Sequence, residues 1–165
     1  MKREMEERFI KACEENADAL FRYSFFKVSD RELAKDLVQE TFMRTWNYIA
    51  QGHEIENLRA FFYRTLTNLI IDEYRKNKPL SLDKLFEGGF DLKAEELEGL
   101  ENRLDGEMAL KILDKIGRPY ADVIYLKYVE DLSNGEIAKA LGETENGVAV
   151  KIHRGLKKIK EIFNK

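Results

Sequence analysis

Apolar residues recur along this chain at the three-and-four spacing of helices, and the alternation expected of strands is scarce. From residue 4 to 27 the apolar positions Phe9, Ile10, Ala12, Cys13, Ala17, Leu20, Phe21 and Phe25 predict a first helix with those side chains inside. Ser29 and Asp30 form a cap signal. A second helix is expected from Arg31 to about Ala50, burying Leu33, Leu37, Val38, Phe42, Trp46 and Ile49. Residues 51–57 are mostly polar around Gly52 and read as a loop. A third helix over residues 58–76 places Leu58, Phe61, Phe62, Leu66, Leu69, Ile70 and Tyr74 inward, and Pro79 is expected to end it.

The pattern then changes. Residues 79–104 hold three glycines, few large apolar side chains and many acids, which predicts a flexible linker with a short helix at 94–104. Helices are expected again from about Glu107 to Ile116 and from Pro119 to about Val129. Ser133 and Glu136 form a capping box that opens a short helix with Ile137, Ala138 and Leu141 on one face. Gly142 permits the left-handed backbone that ends it. Thr144 caps a last helix whose inner stripe is expected to be Val148, Ile152, Leu156, Ile159 and Phe163. Each such side chain, once buried, stabilises a small domain by roughly 1.5–3 kcal/mol. The expected fold is all-α: two small helical domains, 1–78 and 107–165, joined by an acidic linker over 79–106.

Composition narrows the function. One cysteine, Cys13, excludes an internal disulfide, and with only His53 and His153 it makes a zinc site improbable on ligand supply. No metal, cofactor or catalytic constellation is expected, and so no enzyme. No apolar run approaches the length of a membrane span, and the charged start lacks a secretory pattern, so a cytoplasmic location without membrane insertion is expected. The net charge of −3 is unevenly spread: residues 1–78 are neutral, 79–107 carry −6 and 108–165 carry +3. A locally basic C-terminal helix binds nucleic acid even on an acidic protein.

Three outer faces carry candidate chemistry. The second helix presents Glu32, Asp36, Gln39, Glu40 and Met43 on one stripe, flanked by Arg44 and Asn47, which suits a basic protein surface. The third presents Arg59, Tyr63, Arg64, Thr67, Asn68, Ile71, Asp72, Arg75 and Lys76, a mixture of cations, amide and aromatic suited to DNA. The last pair of helices has the spacing of a helix-turn-helix. Its second helix offers Lys151, Arg154, Lys157 and Lys158 to phosphates, and Asn146, Ala149, Val150 and His153 to base edges. Solvated helical faces and a plain helical hairpin account for each of these patterns taken singly.

Taken in order, the segments resemble a known family. Residues 36–46, DLVQETFMRTW, resemble the DLVQETFxRxW signature of bacterial sigma-70 family initiation factors. Residues 58–75, LRAFFYRTLTNLIIDEYR, resemble its promoter-melting helix, and 126–142 with 148–160 resemble its promoter-reading domain. The short acidic connection resembles that of the extracytoplasmic-function (ECF) subfamily. The resemblance implies that Asp36, Gln39, Glu40, Met43, Arg44 and Asn47 dock on the clamp coiled coil of the largest subunit of the RNA polymerase core. It implies that Gly52, His53, Glu54, Ile55 and Asn57, with Arg59, Tyr63, Arg64, Asn68, Asp72, Arg75 and Lys76, hold the −10 element of promoter DNA. One base would leave the stack, at a cost of a few kcal/mol. The C-terminal domain would read the −35 element and touch the polymerase flap, the linker would follow the RNA exit path, and an anti-sigma factor is an expected partner. The chain departs from the family pattern at Glu54 and Glu56 in the loop, at Phe61 for a tryptophan, and at Ala149 for a basic residue. The competing reading is a helix-turn-helix regulator that binds duplex DNA without polymerase core. A purely structural adaptor would leave the basic last helix unexplained.

Overall fold

A computed structural model describes residues 2–76 and 104–164. The expected stop at Pro79, the linker up to residue 103 and the short helix at 94–104 lie outside these, apart from residue 104 itself. All regular structure among the described residues is helical, in two compact units, one built mainly on the first three helices and the other mainly on those that follow.

In the first unit α1 (Lys2–Val28), α2 (Arg31–Ala50) and α3 (Leu58–Lys76) each pack on the other two. The turn between α1 and α2 is tight because Ser29 adopts φ +56° and its N–H donates to the Phe25 carbonyl at 2.9 Å. The Asp30 carboxylate then accepts the Leu33 N–H at 3.1 Å, closing an N-cap that is typically worth about 1 kcal/mol. Phe9 packs on Trp46 and Phe62, and Phe62 on Phe42, with ring centroids 5.1–6.2 Å apart. Thr41 and Thr45 are fully buried, and each hydroxyl donates to the carbonyl four residues back, so neither polar atom is stranded.

The burial pattern corrects two expectations here. Ile10, expected inside, is 55% exposed. Tyr63 and Thr67, expected on the outer face of α3, are buried: Tyr63 lies edge-on to the Tyr23 ring at 5.6 Å, and Tyr23 shares a hydrogen bond with Thr67. Helix α3 therefore has two inner stripes. Leu58, Phe62, Leu66 and Leu69 form one, and Tyr63, Thr67, Ile70 and Tyr74 form the other. Cys13 is half-buried on α1, and burial together with Glu14 pushes its thiol up to about 11, so it stays protonated and unreactive near neutrality.

The second unit contains α4 (Leu104–Ile116), α5 (Arg118–Ile124), α6 (Asn134–Leu141) and α7 (Glu145–Phe163). Helix α4 begins at Leu104 rather than at Glu107. Gly117, at φ +91°, separates α4 from α5, and Pro119 sits in the first turn of α5. The helix expected to run regularly to Val129 widens instead into a π-helical turn over Tyr125–Val129. There the Tyr125 hydroxyl donates to the buried Glu130 carboxylate at 3.2 Å. The core holds Val123, Leu126, Leu132, Ile137, Ala140 and Val148.

Helix α7 faces inward through Val148, Ile152 and Gly155, with Ile159 half-buried, whereas Leu156 and Phe163 are 41% and 61% exposed. Gly155 causes the rotation. A Cβ there would lie 3.0 Å from Ile124 Cγ1 and 3.3 Å from Tyr120 Cβ, so α5 and α7 approach across a missing side chain. Gly155→Val is expected to destabilise this unit by about 1–3 kcal/mol through overpacking. Denaturant unfolding checks this, and an unchanged midpoint would show that the helices separate without cost.

Candidate nucleic-acid and polymerase interface

Helical periodicity puts Asp36, Gln39, Glu40 and Met43 on one side of α2, with Arg44 and Asn47 beside them. All are exposed except the half-buried Glu40, and Met43 is 61% exposed. The Arg44 guanidinium donates to the Glu40 carboxylate at 2.9 Å, which holds both in place along the stripe. The result is an acidic ridge with an apolar centre.

The loop after α2 is shaped by its backbone. Gly52 takes φ +94°, which favours glycine, and its N–H donates to the Ile49 carbonyl. Ile55 turns inward and is 7% exposed, so of the loop residues assigned to DNA it serves as an anchor. The Asn57 side-chain oxygen accepts the Ala60 N–H at 3.0 Å, capping α3. Arg8 reaches across from α1 to the Glu56 carbonyl at 2.7 Å. Gly52, His53 and Glu54 remain exposed. The His53 ring stacks on Tyr48, with centroids 4.2 Å apart and planes 17° from parallel, and Tyr48 leans on Phe61 at 5.0 Å. The sequence reading assigned His53 to this surface but passed over Tyr48. Its aromatic type and its place in the last turn of α2 were the available signals.

On α3 the structure keeps Arg64, Asn68, Asp72, Arg75 and Lys76 together on the exposed side, with Arg59 half-buried at its start. The loop and this face adjoin, because Asn57 joins one to the other. Tyr63 is removed from the face by its burial.

The helix-turn-helix is fixed by reciprocal bonds. The Ser133 hydroxyl accepts the Glu136 N–H, and the Glu136 carboxylate accepts the Ser133 N–H, both at 3.1 Å. Gly142, at φ +68°, ends α6, and the Thr144 hydroxyl accepts the Gly147 N–H at 3.0 Å to start α7. Asn146, Ala149, Val150, His153, Arg154, Lys157 and Lys158 are exposed on α7. The cations differ in availability. Lys151 is half-buried and paired with Glu143, and Lys158 lies over the Tyr120 ring at 5.0 Å. Arg154 and Lys157 have no such partner among the described residues. Lys157→Ala is therefore expected to weaken duplex binding similarly for all sequences and to lower the salt slope by about one counterion. Titrations across salt concentration read this, and an unaltered slope would remove Lys157 from the phosphate contacts.

No helix among the described residues is long and apolar enough to cross a membrane. Residues 13–79 match the family model for sigma-70 region 2, and residues 107–159 match that for sigma-70 region 4. The RNA polymerase sigma factor SigV of Bacillus subtilis is 28% identical over 141 residues, which span 83% of this chain and 80% of SigV. The ECF RNA polymerase sigma factor SigW of the same organism is 29% identical over 84% of this chain and 79% of its own. The ECF RNA polymerase sigma factor SigE of Mycolicibacterium smegmatis is 25% identical, covering 92% of this chain and 60% of SigE.

Proposed function

The chain belongs to the ECF group of the sigma-70 family and is a promoter-directing sigma factor of RNA polymerase, and from that premise we propose how its surfaces divide the work. Residues 1–78 bind polymerase core and the −10 element, residues 107–165 bind the −35 element, and residues 79–106 connect them. Asp36, Gln39, Glu40, Met43, Arg44 and Asn47 form the surface for the clamp coiled coil. An acidic ridge with an exposed methionine suits a basic helical partner, where opposite charge speeds encounter and Met43 adds apolar contact.

The loop through Gly52, His53 and Glu54, continued by Arg64, Asn68, Asp72, Arg75 and Lys76, holds the separated non-template strand. Cations there meet phosphates, while the exposed amide and rings meet bases. Helix α7 enters the −35 major groove. Arg154 and Lys157 fix its position, and Asn146, Ala149, Val150 and His153 face base edges and thymine methyls. The connecting segment, with its acidic excess, follows the RNA exit path, and the second unit also contacts the flap. The factor contributes binding energy and no bond chemistry. It works in the cytoplasm, under an anti-sigma factor.

The observation that carries this assignment is the presence, on one chain and in order, of an acidic helical ridge, an exposed loop and helix face bearing cations, an amide and stacked rings, and a capped helix-turn-helix. Purified core with the full chain is expected to give promoter-specific, permanganate-reactive open complexes, and core alone none. Asn68→Ala is expected to reduce that opening more than core binding. Sequence-specific duplex binding by the chain alone, with no retention on core, would overturn the reading.

A further inference from the structure

We infer that Glu143 neutralises Lys151 and so withholds one phosphate contact from α7, a restraint on DNA affinity that acts on every sequence alike. The inference rests on the assignment of α7 to the −35 major groove. Lys151, Arg154 and Lys158 follow at spacings of three and four, so they share one edge of the helix. Their surroundings differ. The Lys151 ammonium donates to the Glu143 carboxylate. The Lys158 ammonium lies over the Tyr120 ring at 5.0 Å. A neutral ring leaves the lysine its full charge, which stays available to a phosphate. A carboxylate cancels it. Counterion release follows the charge that a protein brings to the duplex, and the Lys151–Glu143 pair brings none.

The backbone holds the pair together. The Glu143 N–H donates to the Ala138 carbonyl at 2.9 Å, five residues back, across the left-handed Gly142. That is the bond of a Schellman turn, and it fixes Glu143 between α6 and α7. Long side chains on a helix lean toward its N-terminus, which carries Lys151 back from the second turn to the residue before the cap. Glu143 has no part in starting the helix. Thr144 caps α7 through the Gly147 N–H. Glu145 occupies the first turn, and its carboxylate lies over α6, 3.4 Å from the place of a Gly135 Cβ. The Glu143 charge is therefore separable from the fold, since a partly exposed ion pair contributes little to stability. The N-terminal end of a recognition helix is the end that meets the duplex. A phosphate that reaches Lys151 there must displace Glu143 and then lie beside its carboxylate.

The test is binding of the full chain to a short duplex selected by its holoenzyme, and to a scrambled version, across salt concentrations. Glu143→Gln keeps the size of the side chain and removes its charge. It is expected to steepen the salt dependence by about one counterion on both duplexes. At physiological salt that amounts to about fivefold tighter binding than wild type, the two converging at about 1 M. Adding Lys151→Ala to Glu143→Gln is expected to return slope and affinity to those of wild type, with helicity unchanged throughout. A Glu143→Gln chain with the wild-type slope overturns the inference. A steeper slope that survives the loss of Lys151 also overturns it, because Glu143 would then act on DNA directly. A wild type that does not distinguish the selected duplex from the scrambled one overturns the assignment of α7 instead.

Discussion

Replacing both Asp36 and Glu40 by lysine is expected to lower affinity for polymerase core by about a hundredfold, the scale of losing close charge pairs across an interface. Both side chains lie on the outer stripe of α2, and neither supports the core of the unit. Glu40 holds Arg44 in place at 2.9 Å, so the double variant also sets three cations at four-residue intervals along the ridge. That local repulsion costs the helix only about a few tenths of a kcal/mol per adjacent pair. Helicity and melting temperature should therefore stay near wild type while binding falls. The fall should shrink at high salt, because the lost attraction is screened. A binding titration on purified core with unchanged affinity would remove this ridge from the interface.

Tyr63→Ala is expected to destabilise the first unit by roughly 3–5 kcal/mol, the usual cost of truncating a large buried aromatic. Tyr63 is 1% exposed, and its ring meets Tyr23 at 5.6 Å between α1 and α3. A loss of that size consumes much of the stability of a small domain. Tyr63→Phe keeps the ring and should lose far less. Denaturant unfolding followed by far-UV circular dichroism separates the outcomes. A Tyr63→Ala protein that unfolds like wild type but fails to open promoters would return this residue to the DNA-facing side.

The error at Tyr63 shows what a helical pattern conveys. The limits of α2 and α7 were readable because Asp30 and Thr144 carry the capping oxygens. The face of α3 was only half readable. Its strongest stripe, Leu58 to Leu69, suggests a helix with one partner, but this helix has two, and the second claims Tyr63, Thr67 and Tyr74. Periodicity locates an apolar stripe and does not count the neighbours. In α7 the pattern named Leu156 and Phe163 because they are large and correctly spaced. They sit about 80° and 60° around the axis from Val148. Gly155 lies nearer the centre and, having no side chain, lets α5 approach there. The π-helical turn at Tyr125–Val129 left no mark on local composition; it shows only in the backbone, where the Glu130 N–H reaches the Tyr125 carbonyl five residues back at 3.3 Å. At the candidate sites, the exposure of the α2 ridge followed directly from spacing. The Tyr48–His53 stack did not, because it depends on the turn at Gly52.

The loop between α2 and α3 has already given up its freedom. Ile55 is buried, Arg8 grips the Glu56 carbonyl, and Asn57 is committed to capping. Fixing a free backbone costs about 1–2 kcal/mol per residue, so a slack loop of this length would draw several kcal/mol from any complex it joined. Here that cost is met during folding. If the loop holds the separated strand as proposed, capture needs no prior rearrangement of it, and the rate is set by how fast DNA separates and diffuses in. The accompanying heat-capacity change should match the surface buried in the contact alone, without the larger signature of a segment that folds as it binds.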